Sequence, residues 1–199
     1  MSRKRMAWLV AVIIISVVIY TGWKFTARSA YESADYTVID LDGAFELRQY
    51  PDLMVATTRA ETGSQGRDGS FMRLFSFISG RNSRDEKIAM TVPVFMQAES
   101  DTAAGSMAFV LPQSVVKKEI PQPNHNDVQI TRRESGRFAV ITFAGRANEK
   151  AVLEQEKRLR TWMKEKGLVG TSHIEIAGYD PPWTPGFFRR NEVLIRLAK

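Results

Sequence analysis

LMVATTRAE at residues 53–61, SFMRLFSFIS at 70–79, KIAMTVPVFMQ at 87–97 and SMAFVLP at 106–112 read in order as strand, helix, strand, strand. The first run is bounded by a Gly- and Ser-rich loop from Gly63 to Gly69. The second places Phe71, Leu74, Phe75 and Ile78 at i, i+3, i+4 and i+7, the spacing of one helical face, and Gly80 suits the helix end. In the third, Pro93 has no N–H to give a ladder, so that strand needs an edge or a bulge. The same order then recurs. RFAVITFAG (137–145) reads as a strand, and NEKAVLEQEKRLRTWMKEKG (148–167) as a helix with Val152, Leu153, Leu159, Trp162 and Met163 apolar and Gly167 as its stop. HIEIAGY (173–179) and EVLIRLA (192–198) close the chain as strands. Two such units bury their helix faces only by packing on a shared sheet, which predicts an α+β domain with a curved antiparallel or mixed sheet and a cleft near the pseudo-twofold.

Ahead of the repeat, YTVIDL (36–41) and AFELRQY (44–50) alternate around Asp42-Gly43, the signal for a type I′ hairpin. Between the halves, a Pro-rich connection (112–127) leads to a strand at VQITRRE (128–134) and a turn at Ser135-Gly136.

MAWLVAVIIISVVIYTGW (6–23) carries no charge for 18 residues, close to the ~20 a helix needs to cross a bilayer. Trp8, Tyr20 and Trp23 stand where amphipathic rings favour the interface. A cleaved signal peptide is the competing reading, with a shorter apolar core and an A-x-A-like site that does not follow Trp23 here. The expected organisation is a basic flank at 1–5, a transmembrane anchor at 6–23, a polar linker at 24–35 and a globular domain at 36–199. Arg3, Lys4 and Arg5 outweigh Lys24 and Arg28, so the N-terminus is expected in the cytoplasm and the domain outside it, periplasmic in a bacterium.

Of 28 basic residues, five flank the apolar segment; from Tyr36 onward 23 basic residues face 20 acidic ones. No basic stripe interleaved with aromatics remains, so nucleic acid is not an expected partner. The absence of cysteine excludes disulfides, thiolate catalysis, iron–sulfur clusters and cysteine-ligated haem or zinc. No G-x-S-x-G, H-E-x-x-H, P-loop or G-x-G-x-x-G occurs, and no enzymatic activity is expected.

KIAMTVPV (87–94), MAFVLP (107–112) and AGYDPPWTP (177–185) leading into RRNEV (189–193) resemble the SOUL haem-binding family, with the motifs in both halves and in order from Tyr36 to Leu197. The resemblance implies a distorted β-barrel flanked by two helices, and binding of haem or a related tetrapyrrole without a reaction. It implies a site in an apolar groove between the first helix and the loop before the last strand, here Phe71, Leu74, Phe75 and Ile78 with Trp183, Phe187 and Phe188. A Phe/Leu stripe is equally what a core requires, and loop aromatics can plug a barrel end. Family members place basic residues on that helix and in that loop where this chain has Ser76 and Thr184. Arg73, Arg189 and Arg190 are the candidate cations for the haem propionates.

His125 and His173 lie on neither the helix nor the aromatic loop, and Met72, Met90 and Tyr179 are weaker candidates, so no strong axial ligand and no metal site are expected. The rival readings are a gyrase-inhibitor-like module for cationic aromatic drugs, whose signature is a buried carboxylate, and a periplasmic protein-interaction scaffold. For the first, Glu175 and Glu192 are the near candidates, and both read as exposed.

Overall fold

The computed structural model describes residues 8, 12, 13, 16, 31–61, 68–98, 104–181 and 184–198. Residues 1–30 form one compact unit and 31–199 another. Within the first, Trp8, Val12, Ile13 and Ser16 are helical; the rest of the expected anchor lies outside the described residues. Among the described residues no helix is long and apolar enough to cross a membrane.

The second unit contains strands β1 (Glu32–Ser33), β2 (Thr37–Asp42), β3 (Phe45–Tyr50), β4 (Leu53–Arg59), β5 (Thr91–Val92), β6 (Val94–Gln97), β7 (Ser106–Val110), β8 (Gln129–Arg133), β9 (Gly136–Ala144), β10 (Glu175–Gly178) and β11 (Arg190–Arg196). Its helices are α1 (Ser70–Ile78), α2 (Gln113–Val116) and α3 (Glu149–Glu165), with a 3-10 turn at Gly186–Phe188. Nine strands pair antiparallel in the order β2-β3-β9-β11-β10-β6-β7-β4-β8. The order reads symmetrically outward from the β6/β10 junction: β7, β4 and β8 on one side answer β11, β9 and β3 on the other. The predicted repeat is therefore β4-α1-β6-β7 against β9-α3-β10-β11.

Two residues, Pro51 and Asp52, carry the chain from β3 near one end of that order to β4 near the other. So short a link requires the sheet to curl. The ends approach through side chains: the Arg133 guanidinium of β8 lies 4.8 Å from the Tyr50 ring of β3 and 4.3 Å from Phe138 of β9. No backbone ladder joins β8 to β2 or β3 among the described residues, so the expected curved sheet is present as a half-barrel, and the distorted barrel implied by the family resemblance is not closed by hydrogen bonds between its ends. Its inner face packs Tyr50, Leu53, Val55, Phe95, Val110, Phe138, Val140 and Leu194. Both long helices cover the outer face, α1 over Ala56, Met107 and Phe109, and α3 over Ala139, Ile141, Val193 and Ile195. Burying each Leu, Ile or Phe contributes about 1.5–3 kcal/mol before entropy is set against it.

Local details depart from expectation in three places. The β2–β3 loop is Gly43-Ala44 and only Gly43 takes a positive φ, +62°, whereas type I′ needs two such residues. Residues 31–35, assigned by composition to the linker, fold with the domain: Glu32 and Ser33 pair in parallel with Thr91 and Val92, and Ala34 is buried. The ladder of KIAMTVPVFMQ starts only at Thr91 and breaks at Pro93, so the motif supplies two short strands.

Candidate functional site

Asp68 fixes the start of α1, its carboxylate accepting the Ser70 N–H (3.1 Å) and hydroxyl (2.6 Å) and the Glu61 N–H (2.8 Å). From there the helix turns Leu74, Phe77 and Ile78 into the core. Leu74 and Ile78 are thus not groove wall but packing, because the buried stripe includes Phe77, which the i, i+3, i+4 reading omitted. Phe71 and Phe75 are left at the edge of the stripe. Their rings stack with centroids 6.0 Å apart and planes 12° from parallel, Phe71 rests edge-on against Phe109, and Phe75 remains 42% exposed.

Facing this ring pair is the segment leading out of β10. Asp180 accepts the Arg190 N–H at 2.6 Å, which fastens the segment to β11, and Asn191 donates to the Gly145 carbonyl at 2.7 Å, which fastens β11 to the end of β9. Between helix and segment lies an apolar recess of about 70 Å³, walled by Phe71, Phe75, Tyr31, Met90, Val94, Tyr179 and Pro181. A second hollow of about 90 Å³ adjoins it, sharing Phe71, Val94 and Asp180 and adding Met96, Arg189 and Asn191. Both are small beside the roughly 300–1,000 Å³ of an enclosing ligand pocket. The geometry suits a flat apolar molecule lying against the rings with one face in solvent.

Phe187 and Phe188 stand on the 3-10 turn, 73% and 65% exposed, rather than lining the recess; Trp183 lies outside the described residues. Of the three expected cations only Arg189 borders the groove. Arg73 is fastened to the Thr58 hydroxyl and the Arg59 and Asp68 carbonyls, which turns it toward the other flank of α1. Arg190 donates to Glu192 at 2.6 Å and lies over the Tyr179 ring.

On that other flank, Met72, Arg73, Ser76 and Arg81 face the 123–128 loop across an open hollow of about 460 Å³. His125 lines it, so the one histidine near α1 is brought there by the Pro-rich connection, which the sequence pattern alone does not reveal. His173 is exposed. Among the described residues no cluster of three or more His, Asp or Glu could hold a metal ion. A fourth cavity, of about 260 Å³, sits over the β6/β10 junction, lined by Met96, Met107, Val152, Leu153 and Ile176 with Glu61 and Glu149.

The inner face carries a charge network. Glu192, expected at the surface, is fully buried, and accepts from both terminal guanidinium nitrogens of Arg48 (2.8 and 3.0 Å), from Arg190, and from the Tyr179 hydroxyl (2.9 Å). Burial alone would raise its carboxyl, but the hydrogen bonds and charge of Arg48, followed by Arg190, hold it below the ordinary carboxylate value. Burial pushes the Tyr50 phenol up to about 12, and raises Tyr179, whose neighbour Glu192 adds to the effect. With every Glu192 oxygen committed, the network is structural rather than a receptor for an external cation. Glu175, also expected at the surface, is largely buried and paired with Arg133 at 2.8 Å.

Residues 31–196 match the family model described as SOUL heme-binding protein. Heme-binding protein 1 of Xenopus laevis is 29% identical over 160 residues, covering 75% of this chain and 82% of its own length. Heme-binding protein 2 of Homo sapiens is 28% identical, covering 77% and 78%. Among solved structures, a hydrolase from Listeria innocua superposes with a TM-score of 0.56 at 10% identity, over 77% of this chain and 91% of that one. The EcmrR C-terminal domain does so with 0.55 at 12% identity, over 82% and 98%. At such identities the superpositions speak for a common fold alone.

Proposed function

The chain belongs to the SOUL heme-binding protein family, and from that premise we propose that it is a membrane-anchored, non-catalytic tetrapyrrole-binding protein whose ligand lies in the groove between α1 and the Tyr179–Pro181 segment. Haem is the family's ligand class. The observation that carries the placement is the stacked pair Phe71/Phe75, with Phe75 left exposed at an apolar recess where an ordinary core helix would bury or replace it. Ring-on-ring contact supplies the binding and needs no iron ligand, which fits a groove bordered by no histidine. The uncharged stretch 6–23, with its N-terminal basic flank, supports an anchor that holds the domain outside the cytoplasm.

The test is a titration of the full chain in detergent with haemin and with iron-free protoporphyrin, following the Soret band. Similar affinities for both are expected, and both should weaken in Phe75→Ala. No binding of either would remove the proposal. A second reading rests on the cleft over the β6/β10 junction, where apolar walls and the carboxylates Glu61 and Glu149 suit a lipophilic cation. Saturable binding of such a cation that porphyrin fails to displace would favour it.

A further inference from the structure

We infer that the Gly186–Phe188 turn is a membrane-docking tip, Phe187 and Phe188 entering the interfacial layer of an anionic bilayer beside the mouth of the groove; this rests on the anchored reading above. The two rings are adjacent, 4.3 Å apart between centroids, and are the most exposed aromatics of the domain's described residues. The turn that presents them is braced. Phe188 N–H donates to the Pro185 carbonyl (3.0 Å), Arg189 N–H to that of Gly186 (3.1 Å), Gly145 N–H to that of Arg189 (3.1 Å), and the Arg189 Nε to that of Thr184 (2.8 Å). Arg146 packs against Gly186, its Cγ 3.1 Å from where a Cβ would stand. Two exposed aromatics on a fixed tip, with Arg146 and Arg189 beside them, combine apolar bulk and positive charge as interfacial anchors do.

The choice of a lipid surface over a protein partner comes from the preceding chain. Only residues 24–30 separate the uncharged stretch 6–23 from Tyr31, and seven residues span at most about 25 Å. A domain on so short a tether meets the bilayer at high effective concentration, so even weak interfacial contact is populated. Because Arg189 also borders the hollow containing Phe71, the groove then opens toward the lipid, where a hydrophobic macrocycle partitions.

The chain has no cysteine, so Phe188→Cys gives one spin-label site, and Leu153→Cys, replacing an exposed apolar residue of α3, gives a control. Each full-length variant is reconstituted into phosphatidylcholine/phosphatidylglycerol vesicles and its label probed with oxygen and a water-soluble nickel chelate. A several-fold higher oxygen-to-nickel accessibility ratio at position 188 than at 153 is expected. Equal ratios in a chain that resists carbonate extraction overturn the docking tip and leave the anchor standing. Release of the chain by carbonate overturns the anchor, and this inference with it.

Discussion

Arg48 on β3 and Glu192 on β11 meet across the intervening β9 in a two-pronged ion pair, 2.8 and 3.0 Å, with neither side chain exposed to solvent. Two ions taken out of water need each other, since a lone buried charge has no compensating partner. Glu192→Gln or Arg48→Met should each lower the unfolding free energy by about 3–5 kcal/mol, while the apolar double variant Arg48→Met/Glu192→Leu should recover a substantial part. Urea denaturation checks this. Single variants as stable as the parent would mean that the pair is not desolvated.

The same network sets the pH limits. The folded carboxyl of Glu192 lies below its ordinary value of 4.5, so its stabilisation is present above that pH and is lost as pH falls below it. Tyr50 is the opposite case. Its folded value of about 12 exceeds the ordinary 10, so its contribution is intact below pH 10 and declines as pH rises from 10 toward 12. The melting temperature should therefore fall on both sides, and Tyr50→Phe should make the alkaline fall shallower without changing the acid limb, the remainder belonging to Tyr179, which is raised as well; an unchanged alkaline limb would remove Tyr50 from that role.

Neighbouring positions on α1 separate binding from folding. Phe75 is partly exposed and Leu74 is fully buried. Phe75→Ala should weaken porphyrin binding roughly tenfold, about 1.4 kcal/mol, within the range of an aromatic contact plus its buried area, with little change in stability. Leu74→Ala should cost about 2–5 kcal/mol of stability through the cavity it leaves. Parallel Soret titration and urea denaturation give both numbers, and equal porphyrin affinity in Phe75→Ala and the parent would displace the groove.

The arginines divide in the same way. Arg189 borders the groove, whereas Arg73 holds backbone carbonyls and Arg190 holds Glu192. Arg189→Ala should weaken binding of protoporphyrin but not of its uncharged dimethyl ester, because only the acid presents propionates. Arg73→Ala should lower stability and leave binding unchanged. An identical loss for acid and ester in Arg189→Ala would mean that the side chain packs against the ring and does not pair with a propionate.

The doubled plan of the domain was readable because each half announces its helix by period and its strands by composition, and those signals are local. What escaped was non-local. Glu192 and Arg48 look like surface residues because charges usually are, and burial becomes tolerable only through a partner 144 positions away. Phe77 displaced Phe75 from the core because α1 meets β4 and β7 along a line that four matching positions do not fix. Glu32 and Ser33 carry no strand-forming side chains; they pair because β5 passes beside them. Spacing put Phe71 and Phe75 on one helical face, but only the family resemblance put them at a groove; Met90 was legible no further than as a weak ligand candidate and Tyr31 fell in the expected linker, since nothing in the sequence brings 31 and 90 to the same wall.

His125 decides between two flanks of α1. The groove is walled by Phe71 and Phe75, while His125 shares a different hollow with Met72 and Ser76. A macrocycle in the groove keeps its iron away from that imidazole, whereas one in the hollow would present the iron to a strong nitrogen ligand. His125→Ala should therefore leave the Soret maximum of the haemin complex in place, and haemin and iron-free protoporphyrin should bind within about tenfold of each other, less than about 1.4 kcal/mol apart. A Soret shift in His125→Ala, together with a stronger preference for haemin in the parent, would move the ligand to the hollow and leave Phe71 and Phe75 without their proposed role.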